Sequence, residues 1–194
     1  MRFIVSSHID GSHGFGKWKY THDDGIRSWT DGKRLCLWFG YSIDQDLEEI
    51  IKHNPERIKD ANGKFCVIML WKDKMQVWVD YFCQTKVYYH TRDGLTVTNH
   101  LPLLPLQEQD IDHKSIERFS QGLGEGVPLY ACKDPMNMKY MDEWNKFSSD
   151  STVFLHTASI PQDHMLEHDS KGTQIKRIHN TQEENLQALQ NKIV

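Results

Sequence analysis

Between Asn62 and His100 the sequence repeats one pattern: a turn former or charged corner, then a short run of β-branched and aromatic residues. Asn62-Gly63 leads into Phe65-Cys66-Val67-Ile68-Met69-Leu70, and the corner Lys72-Asp73-Lys74 leads into Met75-Gln76-Val77-Trp78-Val79-Asp80. Lys86-Val87-Tyr88-Tyr89-His90 and Leu95-Thr96-Val97-Thr98 lie on either side of Arg92-Asp93-Gly94. Strand formers bounded by turn formers predict an antiparallel meander over this stretch. Gly63 and Gly94 are expected to supply the positive φ that tight turns need.

The rest of the chain adds strands and a few helices. Residues 2–9 begin a strand at once, with no leader, and Thr30-Asp31-Gly32 turns the chain into the apolar strand Arg34–Gly40. Gly11–Gly16 is glycine-rich, but the strand-like Lys17–Tyr20 follows it where a phosphate loop would need a helix, so a hairpin loop is expected. Ser42-Ile43-Asp44-Gln45 has the form of a capping box, and Leu47, Ile50 and Ile51 give the next helix one apolar face. Asn54-Pro55 begins a short helical turn ending at Asn62-Gly63. Asp112 is placed to cap a helix over 113–122 carrying Ile116 and Phe119. Residues 127–150 form a polar, Met-rich insertion around Trp144, read either as a contact surface or as a small satellite core. Met165–His168 is expected to be the last strand. Thr181-Gln182-Glu183-Glu184 then caps a terminal helix with an apolar stripe of Leu186, Leu189 and Ile193.

Composition excludes several classes. With 194 residues the chain can bury a full single-domain core, and a net charge of -4 is the wrong sign for a nucleic-acid binder. No apolar run approaches the ~20 residues of a membrane span, and Met1–Val5 does not read as a signal peptide. Cys36, Cys66, Cys83 and Cys132 form no CxxC pair and sit mostly in apolar runs, as small buried hydrophobes do. A reduced, cytoplasmic protein is expected. His8, His13 and His22 with Asp23 and Asp24 fit no zinc spacing. His164 and His168, four apart on a strand, would lie ~13 Å from each other, so no metal site is expected. Met69, Met75, Trp71 and Trp78 read as core.

A resemblance narrows this further. The turn glycine, the strand, the charged corner, the strand ending at Asp80, then Phe82, Tyr88-Tyr89 and Leu101-Pro102-Leu103-Leu104 resemble the class II glutamine amidotransferase domain. The asparagine synthetase and β-lactam synthetase families carry it in its most similar form. Thr152-Val153-Phe154 and Ile160-Pro161-Gln162-Asp163-His164 resemble that family's closing segment. The resemblance implies an α+β fold: a four-layer αββα sandwich of two antiparallel sheets of the N-terminal-nucleophile hydrolase type. It implies an amidotransferase-like domain over residues 1–180, with 181–194 a C-terminal helix that would start a linker to a missing synthetase domain.

The departures bear on function. Active members of the family open Met-Cys-Gly, where the processed cysteine is both nucleophile and base. Here Arg2 stands in that place, permanently cationic and no nucleophile, and Phe3 replaces the glycine. Phe39-Gly40-Tyr41 stands where the family's Asn-Gly-Glu helps form an oxyanion hole, and only Gly40 is retained. Asn62 takes the place of the aspartate that holds the α-amine of glutamine, and Asn99-His100 replaces Ser-Glu. The resemblance therefore implies no catalytic residue and a vestigial pocket bordered by Arg2, Gly40, Tyr41, Asn62, Gly63 and Asp80. Asp80 is expected to accept hydrogen bonds from a neighbouring loop.

The expected function is a degenerate amidotransferase-like domain of an asparagine-synthetase-like, amide-bond-forming enzyme. The domain itself would need no cofactor, and ATP and magnesium would belong to a synthetase domain or a separate partner chain. A non-catalytic interaction module is the alternative. A glutaminase or amidohydrolase with a displaced nucleophile (Ser6, Ser7, Cys36 or Cys83) is the third. A small-molecule ligand in the old pocket and a homodimer remain open, while nucleic acid and membrane are not expected partners.

Overall fold

The computed structural model describes residues 1–81, 84–114, 116–117 and 152–179. Its strands are β1 (Phe3–Ser6), β2 (His13–Phe15), β3 (Trp18–His22), β4 (Arg27–Thr30), β5 (Leu35–Ser42), β6 (Gly63–Leu70), β7 (Met75–Val79), β8 (Tyr88–His90), β9 (Thr96–Thr98), β10 (Thr157–Ser159), β11 (His164–Asp169) and β12 (Gly172–Arg177). Among the described residues these pair into two six-stranded sheets, β10-β8-β9-β1-β3-β2 and β12-β11-β7-β6-β5-β4. Every pairing is antiparallel. The protein is an α+β sandwich of two antiparallel sheets.

The side-chain period of two explains the layering. Leu35, Leu37 and Phe39 of β5 and Cys66, Ile68 and Leu70 of β6 enter a core shared with Phe3, Val5, Trp18 and Val97 of the first sheet. The alternate residues Cys36, Trp38, Phe65, Val67 and Met69 point the other way. There they meet Leu47, Ile50 and Ile51 of α1 (Leu47–His53) and Ile58 of a 3-10 turn (Pro55–Asp60). Both faces of β5 and β6 are covered, so both strands read as unbroken apolar runs. Each fully buried side chain of this kind contributes roughly 1.5–3 kcal/mol.

The opposite face of the first sheet is polar yet buried. Ser6, Thr96, Thr98, His90, Thr157 and Ser159 line it. Hydroxyls answer one another: Ser6 Oγ and Thr96 Oγ1 are 2.9 Å apart, and His90 Nδ1 and Thr157 Oγ1 are 2.9 Å apart. Sheet, sheet and a helical layer account for three of the four expected layers. The helix expected at 113–122 starts as predicted, with Asp112 Oδ1 accepting from Lys114 N at 3.1 Å; beyond Glu117 it lies outside the described residues. The insertion at 127–150, the terminal helix at 181–194, Phe82, Cys83 and Cys132 also lie outside them.

Five expectations are corrected. The stretch 62–100 is two hairpins in different sheets: β6 and β7 belong to the second, β8 and β9 to the first. Gly63 has no positive φ; it begins β6 opposite Ser42, and a Cβ there would come within 2.1 Å of Tyr41 O. Close strand approach, not turn geometry, requires that glycine. Ser42 does not cap α1. Its hydroxyl donates toward Asn62 O and Asp44 Oδ1, and Asp46 caps the helix by accepting from the N–H groups of Glu48 and Glu49. Finally, β11 is followed by β12, and the glycine-rich loop contains β2. Both are edge strands rich in polar residues, whose pairing outweighs their weak local signal.

Candidate functional site

One end of the sandwich gathers the residues singled out by resemblance. β5 finishes there, β6 begins there and β7 ends there. Gly40 pairs with Phe65, Tyr41 with Lys64 and Ser42 with Gly63. Asp80 N donates to Phe65 O at 3.1 Å, which sets Asp80 beside the same row. From the facing sheet, the Phe3 ring comes 6.1 Å from that of Phe39, so the start of β1 reaches this end as well. Gly40, Tyr41, Asn62, Gly63 and Asp80 thus share one border of the second sheet, and Arg2 directly precedes β1 of the first.

The backbone at this border is tight. Gly40 has φ +93°, and a Cβ would lie 2.0 Å from Lys64 O. Its carbonyl is occupied, since Arg27 Nη2 donates to Gly40 O at 2.9 Å. Tyr41 projects outward with 58% of its surface exposed, and Ile43 is 79% exposed.

Asn62 is held by an acid that sequence reasoning overlooked. Its Nδ2 donates to Asp44 Oδ2 at 2.8 Å, its backbone N–H donates to Asp44 Oδ1 at 3.2 Å, and its carbonyl accepts from Ile43 N at 2.7 Å. The Asn62 side chain and then the Ser42 hydroxyl stabilise the Asp44 carboxylate, pulling it down to about 2. A carboxylate therefore stands beside position 62 although position 62 itself carries none. Only the turn-forming character of Asp44 hinted at it in the sequence.

Asp80 is completely buried and accepts from Gln84 N at 3.0 Å and Thr85 N at 3.3 Å. Those bonds anchor the loop that carries the chain from the second sheet to the first.

Arg2 is clamped. Its backbone N–H donates to Asp23 Oδ2 at 3.0 Å, and its Nε lies 3.4 Å from the same oxygen. Desolvation pushes the Asp23 carboxyl up, but the hydrogen bonds and charge of Arg2 outweigh it and hold it below the ordinary range. Asn99 brackets the same residue: its Nδ2 donates to Met1 O at 2.9 Å and its Oδ1 accepts from Phe3 N at 3.0 Å. The backbone around Arg2 is thus fixed, while its positively charged side chain is 59% exposed.

Of the alternative nucleophiles, Ser6, Ser7 and Cys36 lie among the described residues and are engaged elsewhere or buried. Ser6 is buried, and its Oγ accepts from His8 N at 3.2 Å and Ile9 N at 3.1 Å besides meeting Thr96. Ser7 Oγ accepts from Leu95 N at 3.1 Å. Burial pushes the Cys36 thiol up to about 11, which leaves almost no thiolate at neutral pH. His13 and His22 belong to β2 and β3, stacked around Tyr20. Among the described residues, no three His, Cys, Asp or Glu side chains are grouped to hold a metal ion. No described helix is long and apolar enough to cross a membrane.

No protein-family model matches this chain, and no curated protein matches it. Among solved structures it is similar to the allosteric regulatory enzyme of purine biosynthesis, at 10% identity and a TM-score of 0.46. It is also similar to glutamine phosphoribosylpyrophosphate amidotransferase from B. subtilis complexed with ADP and GMP, at 10% identity and a TM-score of 0.48. Each match covers 93% of this chain and 43% of the other, so the chain spans less than half the length of either. Likeness of this degree carries neither a family nor an activity, and the description of the fold rests on the strand pairing itself.

Proposed function

We propose that this chain is a glutamine amidotransferase-like domain that has lost glutamine hydrolysis and serves an asparagine-synthetase-like, amide-bond-forming enzyme as scaffold. One observation supports the reading: Arg2, just before β1, is tied to Asp23 and bracketed by Asn99, and an arginine is the residue held where the resemblance calls for a cysteine. The exposed phenol of Tyr41 and the turn built by Asn62 and Asp44 are further changes around the same border. Any ATP and magnesium chemistry would belong to a synthetase domain or separate chain, with free ammonia or a substrate amine as the nitrogen donor.

The test is glutamate release from glutamine by the purified protein. The reading expects release no faster than in buffer. Saturable release abolished by one Cys or Ser substitution would overturn it. A second reading, an interaction module without chemistry, is favoured by the exposure of Met1, Tyr41, Ile43 and Tyr81. Under that reading, Tyr41→Ala and Ile43→Ala would leave stability unchanged within about 0.5 kcal/mol and weaken partner capture.

A further inference from the structure

Asn62-Gly63 is the one Asn-Gly dipeptide in the chain, and it lies where the loop before α1 meets the start of β6. The asparagine is exposed. Its neighbour must stay glycine, because a Cβ at Gly63 would come within 2.1 Å of Tyr41 O, so no side chain shields the Gly63 nitrogen. Ile43 N donates to Asn62 O at 2.7 Å, which makes the next pair, Ser42 and Gly63, one without mutual hydrogen bonds. On the other side, β6 meets β7 only from Cys66 and Val79 onward, extended by the bond from Asp80 N to Phe65 O. The Gly63 N–H therefore lies outside both ladders.

That nitrogen follows directly on an amide side chain whose carbon it can attack to close a succinimide ring. Asp44 opposes the closure. Its Oδ2 accepts from Asn62 Nδ2 at 2.8 Å and its Oδ1 from Asn62 N at 3.2 Å, so both donors of the asparagine converge on one carboxylate. Ser42 Oγ donates to the same group at 2.8 Å. The Asn62 side chain and then Ser42 keep this carboxylate ionised down to about 2, so it has no proton to offer a departing amide nitrogen. Ring closure also has to break the bond from Nδ2.

We propose that Asn62 is a self-modification site whose rate Asp44 restrains, and that its conversion unlocks the 42–46 loop from β6. A solvent base removes the Gly63 N–H proton and the nitrogen bonds to Asn62 Cγ. The Cγ–Nδ2 bond breaks as Nδ2 takes a proton from water and leaves as ammonia. Water then adds to either carbonyl of the succinimide and reopens it to aspartate or isoaspartate. Either product sets a second carboxylate where Asp44 now meets a donor, and like charges at that distance repel. Isoaspartate also inserts a methylene into the backbone, which breaks the register between Asn62 and Ile43. The proposal does not rest on the loss of glutamine hydrolysis, since only groups between Ser42 and Gly63 take part.

The test is incubation of the folded, full chain at mildly alkaline pH, followed by peptide mapping that separates asparagine, aspartate and isoaspartate at Asn62. Asp44→Ala should speed the conversion roughly 10-fold, as loss of one hydrogen bond to a charged group would. Asp46→Ala removes the α1 cap but leaves the Asp44–Asn62 bond, and should leave the rate unchanged. In the converted fraction the Ile43 amide should exchange its hydrogen faster than in the unconverted chain. Equal rates for wild type and Asp44→Ala, equal acceleration by Asp46→Ala, or unaltered exchange at Ile43 after conversion would overturn the proposal. Should Asp44→Ala fail to fold, the wild type decides: chain unfolded in urea, where Asp44 no longer holds the amide, should convert faster than folded chain. Equal rates in the two states would also overturn it.

Discussion

At the scale of single residues, Gly40 and His90 make the sharpest demands. Gly40 combines φ +93° with a Cβ position 2.0 Å from a neighbouring carbonyl, so Gly40→Ala should cost more than about 2 kcal/mol, read as a drop in urea midpoint at unchanged slope. A variant of wild-type stability would show that the border is looser than described. His90 is fully buried, and among the described residues its Nε2 meets no hydrogen-bond partner. Desolvation first, then the nearby Arg92, His156 and His8, push its affinity for a proton down against the pull of Asp110. The sign follows: the unfolded chain binds the proton more readily, so stability is whole above the unfolded value of ~6.5 and falls as pH drops through it toward the lower folded value. His90→Gln should flatten that slope in denaturant titrations between about pH 7 and 5. Gly40 was legible from resemblance, whereas the burial of His90 was not, because a histidine at a strand end looks like any surface polar residue until its sheet is covered.

At the scale of elements, the long apolar strands were readable and the edges were not. β5 and β6 announce themselves because both their faces are buried. β2, β4 and β12 carry too few apolar residues to stand out, and β12 is held largely by its partner. Glu167 on β11 binds that edge together: it pairs with Lys176 of β12, with Lys74 at 2.8 Å, and accepts from Gln76 of β7 at 2.7 Å. Hydrogen bonds from Lys176 and then Lys74 pull its carboxyl down to about 2. A carboxylate so depressed stabilises the fold above its unfolded pKa of ~4.3, and that contribution is lost as pH falls toward about 2. Glu167→Gln should cost about 1–2 kcal/mol at neutral pH and nothing at pH 2. An equal cost at both pH values would mean that the glutamate acts through packing instead.

For the molecule as a whole, the two-sheet sandwich followed from strand periodicity together with resemblance, but the partition of residues 62–100 between the sheets did not. A strand pattern states which residues alternate, not which sheet receives them. The same limit applied at this border: resemblance named Arg2, Gly40, Asn62 and Asp80, and only the structure revealed that Asp23 and Asn99 hold Arg2 in place and that Asp44 holds Asn62. Those three residues lie far in sequence from most of the groups they bind, so no local spacing points to them. The account turns on that corner being filled by a cation and empty of a nucleophile. Its most direct test is incubation with a diazoketone analogue of glutamine, which alkylates an attacking thiol or hydroxyl at a glutamine site, followed by intact-protein mass measurement. The account predicts an unchanged mass; a single stoichiometric adduct mapped to a Cys, Ser or Thr at the mouth would contradict it.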